Sequence, residues 1–201
     1  LELGWSENKT RRIRRLAQVD ALRPRKKYRG YGGKTEVDAP DNHLHAYALF
    51  KDISRPQDGM DYSPMTQEAN AWVQDFTYLR IRSGMYYLAI VMDLATREIL
   101  SWKLGTNHSS SLTHIALIQA LRTNPNPSIL HSDRGSEYLS ERHQDTCARF
   151  GIMLSASRPG SPWQNGFMER CIKSVKEELG SLTNYHDIDE LYVGVINAIA
   201  Y

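Results

Sequence analysis

Three stretches of the chain carry apolar residues at strand spacing. Residues 71–81, 85–94 and 98–104 are rich in Val, Ile, Tyr and Trp and are separated by Ser83-Gly84 and by Ala95-Thr96-Arg97. Short breaks between β-branched and aromatic runs predict an antiparallel three-strand meander. Helical spacing takes over at residues 112–122, where Leu112, Ile115, Ala116 and Leu117 share a side, behind Ser109-Ser110-Ser111 as N-cap and ahead of Asn124-Pro125-Asn126-Pro127. A short apolar run at 128–130 reads as a buried strand. After it come a helical stretch at 139–150 stopped by Gly151, a second apolar run at 152–154, a Pro/Gly loop at 157–162, and a helix starting near Asn165. A last apolar helical pattern, 188–201, is suited to packing on the body. The resulting order, strand-strand-strand-helix-strand-helix-strand-helix, is that of an α/β domain.

Upstream of residue 71 the periodicity fades. Residues 36–70 mix Pro40, Pro56 and Pro64 with polar residues and read as a linker; their His43 and His45 lack nearby Cys or further His, so they read as surface histidines and not as a zinc site. Residues 1–35 form a basic arm: a helical stretch at 8–22 with a thin stripe of Ile13, Leu16 and Ala17, ended by Pro24, then a glycine-rich segment holding Arg25, Lys26, Lys27, Tyr28 and Tyr31. The net charge of +2 hides an asymmetry. Residues 1–34 hold 11 Lys/Arg against 3 Asp/Glu, or +8, and the remainder holds 14 against 20, or −6. A basic, tyrosine-bearing arm ahead of an acidic body suits contact with a phosphate backbone, with a solvated charged helix as the plainer alternative.

The length accommodates one full core and a small appendage. Cys147 and Cys171 fall inside helical patterns without metal-ligand spacing, which favours a reduced, intracellular protein, and no apolar run approaches membrane length. These features predict a cytoplasmic protein with no membrane partner. The chain opens at Leu1 and stops at Tyr201 inside an apolar helical pattern, as a piece of a longer protein would.

The candidate chemistry lies in the acids. Asp133 follows the strand at 128–130, and Glu169 sits in the first turns of the helix near 165, with 35 residues between them. An open α/β sheet brings a strand end and a helix start together where such sheets bind ligands, and paired carboxylates there suit a hard cation. The motif His131-Ser132-Asp133-Arg134-Gly135-Ser136-Glu137-Tyr138, the 35-residue gap, and Ser161-Pro162-Trp163-Gln164-Asn165-Gly166-Phe167-Met168-Glu169-Arg170 resemble the integrase core of bacterial insertion-sequence transposases and retroviral integrases. That family requires a third acid on the first core strand. Asp75, within Trp72-Val73-Gln74-Asp75-Phe76-Thr77, matches its position, and its same-face neighbours Val73, Leu79 and Ile81 are apolar, a costly setting without a partner or cation. Asp93, the competing acid of the second strand, precedes a tight turn and reads as a backbone cap.

The resemblance implies a ribonuclease-H-like core over residues 71–201, C-terminally truncated: the meander plus two further strands, with helices on both faces and a small basic helical N-terminal extension. It further implies a DDE-type polynucleotidyl transferase in which Asp75, Asp133 and Glu169 hold two Mg²⁺ or Mn²⁺ ions, Asp75 bridging them; paired ions roughly 3.5–4 Å apart stabilise attacking and leaving oxygens in line. Lys173 and Lys176 stand four and seven positions after Glu169, on its helical face, and the family places lysines at these offsets against the DNA end. Arg158 in the Pro/Gly loop is a weaker DNA contact. The implied partners are double-stranded DNA, as element ends and target, and further copies of the chain, since joining two ends requires at least a dimer; the implied compartment is the bacterial cytosol or nucleoid. Glu137 and Gln164 depart from common family residues, and His131 reads equally as a ligand-orienting or a structural histidine. Two other readings stay open: a ribonuclease-H-like nuclease without strand transfer, and a DNA-binding protein with an inactive core.

Overall fold

The structure, a computed structural model, describes residues 39–44, 49–50, 60–61, 70–159 and 162–200. The basic arm, including Arg25, Lys26 and Lys27, lies outside the described residues. Strands β1 (Leu49–Phe50) and β2 (Met60–Asp61) pair antiparallel. The meander follows where the pattern predicts it: β3 over Ala71–Ile81, β4 over Gly84–Asp93 and β5 over Ile99–Gly105. Then come α1 (Ser110–Thr123), β6 (Ile129–Ser132), α2 (Glu141–Arg149), β7 (Met153–Ala156), a 3-10 turn (Pro162–Asn165), α3 (Gly166–Leu179), a second 3-10 turn (Leu182–Asn184) and α4 (Ile188–Ala200). The five-stranded sheet runs β5-β4-β3-β6-β7, with β6 parallel to both β3 and β7 and the other neighbours antiparallel. This mixed sheet, with the meander on one side and two parallel strands on the other, is the ribonuclease-H-like arrangement.

Alternation along β3 divides the core. Trp72 joins Ala89, Val91 and Leu130 under α1, whose Leu112, Ala116, Leu117, Ala120 and Leu121 are buried, together with Cys147 of α2. Val73, Leu79 and Ile81 face the other way, into a core with Ile90 and Met92 of β4, Met168, Val175 and Leu179 of α3, and Leu191 and Val195 of α4. Helices therefore cover both faces, which is why the central strand β4 reads as a nearly continuous apolar run. Asp75 shares the second face with Val73 and Leu79.

Local signals explain most boundaries. Gly151 takes φ +67 just past α2, the left-handed residue that ends a helix. Asp93 caps its turn as predicted, its Oδ1 accepting the N–H groups of Ala95 and Thr96 at 2.8 Å. Ser109 occupies the N-cap of α1 but makes no side-chain capping bond, and the helix starts ahead of the apolar stripe. Strand β6 continues past its apolar run through His131 and Ser132, both buried. This is possible because the two ring nitrogens of His131 meet the hydroxyls of Ser155 at 2.9 Å and Ser157 at 3.0 Å. His131 is thus a structural tie between β6 and the end of β7. Within the stretch read as a linker, Leu44 is buried in the α3-side core and the Asn42 amide donates to Gln164 Oε1 at 3.0 Å, so part of that stretch packs on the domain. No described helix is long and apolar enough to cross a membrane.

Candidate active site

The three candidate acids come from three elements: Asp75 from the middle of β3, Asp133 from the residue after β6, and Glu169 from the first turn of α3. Parallel pairing of β3 and β6, with Val73 opposite His131, sets Asp75 and Asp133 each two residues further along neighbouring strands. Both carboxylates are oriented by backbone donors. Asp75 Oδ1 accepts from Phe76 N–H and Asp133 Oδ1 from Gly135 N–H, each at 2.8 Å.

Burial, then the charge of Asp133, push the Asp75 carboxyl up from its ordinary 3.8 to about 7, with smaller contributions from Glu137 and Glu169 and a lowering one from the Phe76 N–H. Asp133 is raised as well, chiefly by desolvation and also by Glu137; the Gly135 N–H and His108 oppose this. The side chain of Asp133 is nevertheless exposed, so water tempers the effect there. Asp75, Asp133, Glu137 and Glu169 thus share one electrostatic field, with Glu169 exposed at its rim. They do not form a closed shell: among the described residues no three His, Cys, Asp or Glu side chains are grouped so as to hold a metal ion.

Glu137 has a partner of its own. It is buried, and its Oε1 lies 3.4 Å from His108 Nε2. Gly135 makes this position possible, since a Cβ there would stand 2.4 Å from Glu137 Oε1. His108, in the loop between β5 and α1, carried no signal in the sequence because loop histidines have no periodicity. A buried polar cluster behind the acids was equally silent. Gln74, next to Asp75, places its Nε2 2.8 Å from His143 Nε2, and the rings of His114 and Tyr138 stand edge-on to His143. Burial pushes the His143 imidazole down to about 4, with His114 adding to the effect. Gln74 Oε1, Tyr138 Oη, His114 Nδ1 and His143 Nδ1 find no partner among the described residues, as at sites that ordered water fills.

The predicted DNA contacts spread along α3 and its approach. Lys173 is exposed and pairs with Glu177 at 3.5 Å; Lys176 is half-buried with its ammonium 5.1 Å from the centroid of the Tyr78 ring. Burial lowers the Lys176 ammonium. Arg158 is exposed, and its backbone N–H donates to Gln164 Oε1 at 2.7 Å. Gln164, read in the sequence only as a departure, therefore pins the Pro/Gly loop by accepting from Arg158 and Asn42.

Comparison with known proteins adds an independent view. Residues 66–162 match the model of an integrase core domain, and residues 150–201 match a second integrase core domain model. The chain is 34% identical over 129 residues to the transposase for insertion sequence element IS904 of Lactococcus lactis subsp. lactis, an overlap of 63% of this chain and 51% of that protein. It is 36% identical over 109 residues to transposase InsF for insertion sequence IS3A of Escherichia coli, covering 53% of this chain and 38% of that one. The chain thus spans about half or less of these relatives. In fold it is similar to a chain of the simian T-cell lymphotropic virus intasome, with TM-score 0.56 and 24% identity over 63% of this chain and 47% of that one. It is also similar to the HTLV-2 integrase catalytic core domain in complex with magnesium, with TM-score 0.53 and 21% identity over 65% of this chain and 83% of that one.

Proposed function

Because the chain belongs to the integrase core family, its two matches together spanning residues 66–201, we propose that it is the catalytic part of an insertion-sequence transposase, a metal-dependent polynucleotidyl transferase that cuts element ends and joins the freed 3′-hydroxyl to target DNA. The observation that carries this reading is the state of Asp75. A carboxylate on a core strand, desolvated and facing Asp133, is costly to ionise unless something positive joins it.

The donor set fits a hard divalent cation. Asp75, Asp133 and Glu169 offer only oxygen, the ligand that Mg²⁺ and Mn²⁺ prefer, and the excess negative charge is what a dication offsets. These three acids would hold the ion or ions, and a bound pair would activate the attacking oxygen and neutralise charge on the phosphate. Phe76 N–H and Gly135 N–H each fix one oxygen of Asp75 and Asp133, leaving the other oxygen of each for the ligand. Glu137, held by His108, stays out of the ligand set. Lys173, Lys176 and Arg158 offer cations to the phosphates on either side of the scissile one. The attacking hydroxyl forms a bond to phosphorus as the bond to the leaving 3′-oxygen breaks, first with water and then with the new 3′-hydroxyl as attacking group. Sites for two DNA ends call for at least two copies of the chain.

An oligonucleotide assay tests the reading. A labelled duplex ending in the element's terminal repeat, incubated with the protein and Mg²⁺ or Mn²⁺, yields shortened strands and strand-joined products, and EDTA abolishes both. Shortened strands alone would make the protein a nuclease; unaltered, bound DNA would make it a binding protein; products in EDTA would end the metal assignment.

A further inference from the structure

Beside the acids lies a cluster of three aromatic rings. The His108 ring centroid is 4.3 Å from that of Phe76 and 5.7 Å from that of Tyr87, and the Phe76 and Tyr87 centroids are 6.4 Å apart. These rings come from three elements: β3, β4, and the loop after β5. Phe76 and Tyr87 pack against the α1-side core and are only partly buried. His108 lies over them with a side chain 44% exposed, next to exposed Thr106 and Asn107. The imidazole stands tilted against Phe76, at an interplanar angle of 36°.

This surface is tied to the acids at both ends. Phe76 directly follows Asp75 and donates its N–H to that carboxylate at 2.8 Å. The Nε2 edge of His108 is held 3.4 Å from buried Glu137. A flat ring, held along one edge, packed against two others and partly open to solvent, offers a base a place to stack. Every base has a π face, and stacking on such rings is a sequence-tolerant way to hold an unpaired nucleotide.

We propose that Phe76, Tyr87 and His108 form a stacking platform for an unpaired nucleobase of the DNA strand whose phosphate is presented to Asp75 and Asp133. The proposal rests on the functional reading above for the identity of the polymer, but its ligand, a splayed base, is a separate claim. Glu137 acts within it as the anchor that orients His108.

The test uses the full chain and 2-aminopurine, a fluorescent base quenched by stacking. The probes are a short single-stranded oligonucleotide with one central 2-aminopurine, and a closed dumbbell duplex that offers only paired bases. The intact protein quenches the single-stranded probe. His108→Ala, at an exposed position, loses the quench and binds that probe about 5- to 150-fold more weakly, the range expected for one lost base stack, while binding the dumbbell as before. His108→Phe, which keeps a flat ring and loses the contact with Glu137, retains the quench; Tyr87→Leu reduces it. Absence of quenching by the intact protein, or quenching unchanged in both His108→Ala and Tyr87→Leu, overturns the platform. Loss of cleavage and joining activity with quenching retained would overturn the transposase reading and leave the platform standing. Activity retained by the intact protein without quenching would do the reverse.

Discussion

At Asp75 the cost of the site can be measured without any DNA. Its folded-state carboxyl, raised to about 7 from 3.8, holds a proton that the unfolded chain has already released. The stability it contributes is therefore present below pH 3.8 and lost as pH rises through about 7. Asp75→Asn, neutral throughout, should be more stable than the parent above pH 7 by an amount on the order of 2–4 kcal/mol and equal to it near pH 4. Urea unfolding in EDTA at both pH values checks this, and added Mn²⁺ should raise the parent's midpoint while leaving the variant's unchanged. Equal stability at pH 8 would mean that Asp75 is solvated. His143 runs the opposite way. Its imidazole is lowered to about 4, so its contribution is present above the ordinary 6.5 and lost as pH falls towards 4. His143→Gln should be less stable than the parent at pH 7 yet lose less on acidification to pH 4.5; parallel pH profiles would remove His143 from the acid response. Of these two residues only Asp75 was legible in the sequence, chiefly because it matches the position of the first acid in the family that the chain resembles, and also because an acid among Val73, Leu79 and Ile81 breaks an apolar face. His143 lies in a helix whose residues are mostly polar, so nothing in its pattern announced burial against Gln74.

Elements were more legible than their contents. Strands β3 to β5 and the stop of α2 at Gly151 follow from period-two patterning and a left-handed glycine. What escaped was pairing over long sequence separation: Leu44 entering the core, Gln164 bridging Asn42 and Arg158, and His108 reaching Glu137. Each joins residues that no local window contains. Helix α3 shows how an element delivers chemistry. Met168 is fully buried in the core, and the next residue, Glu169, is exposed at the rim of the acids. Met168→Ala should lower the unfolding free energy by about 2–5 kcal/mol, the range for removing a buried side chain of this size. It should also reduce activity at temperatures where the protein remains folded, since the start of α3 loses its anchor. Denaturant titration together with an activity assay well below the midpoint separates the two effects; unchanged activity in the folded variant would mean that Glu169 does not depend on this packing.

For the whole molecule the proposed function poses the question of how an acidic body would engage a polyanion. Residues 1–34 carry 11 of the 25 Lys/Arg and a net charge of +8. If they contact phosphates, each contact should contribute about −0.9 to the slope of log affinity against log salt, and deleting them should flatten that slope on specific and random duplexes alike. A loss confined to the specific duplex would mean that the arm reads bases, and an unchanged slope would make it a solvated face. The body's share is the chemistry of its acids, and near-isosteric neutral replacements probe it most directly. Asp75→Asn, Asp133→Asn and Glu169→Gln, assayed with Mn²⁺ on a duplex carrying the terminal repeat, should each reduce strand joining by more than about a hundredfold, the loss of a metal ligand exceeding that of a ligand's supporting partner. Duplex affinity, measured in parallel by anisotropy, should stay within about twofold, because no phosphate-binding cation is removed. Joining that survives in any one of the three variants, with DNA bound as tightly as before, would contradict the claim that these three carboxylates form one metal-dependent site.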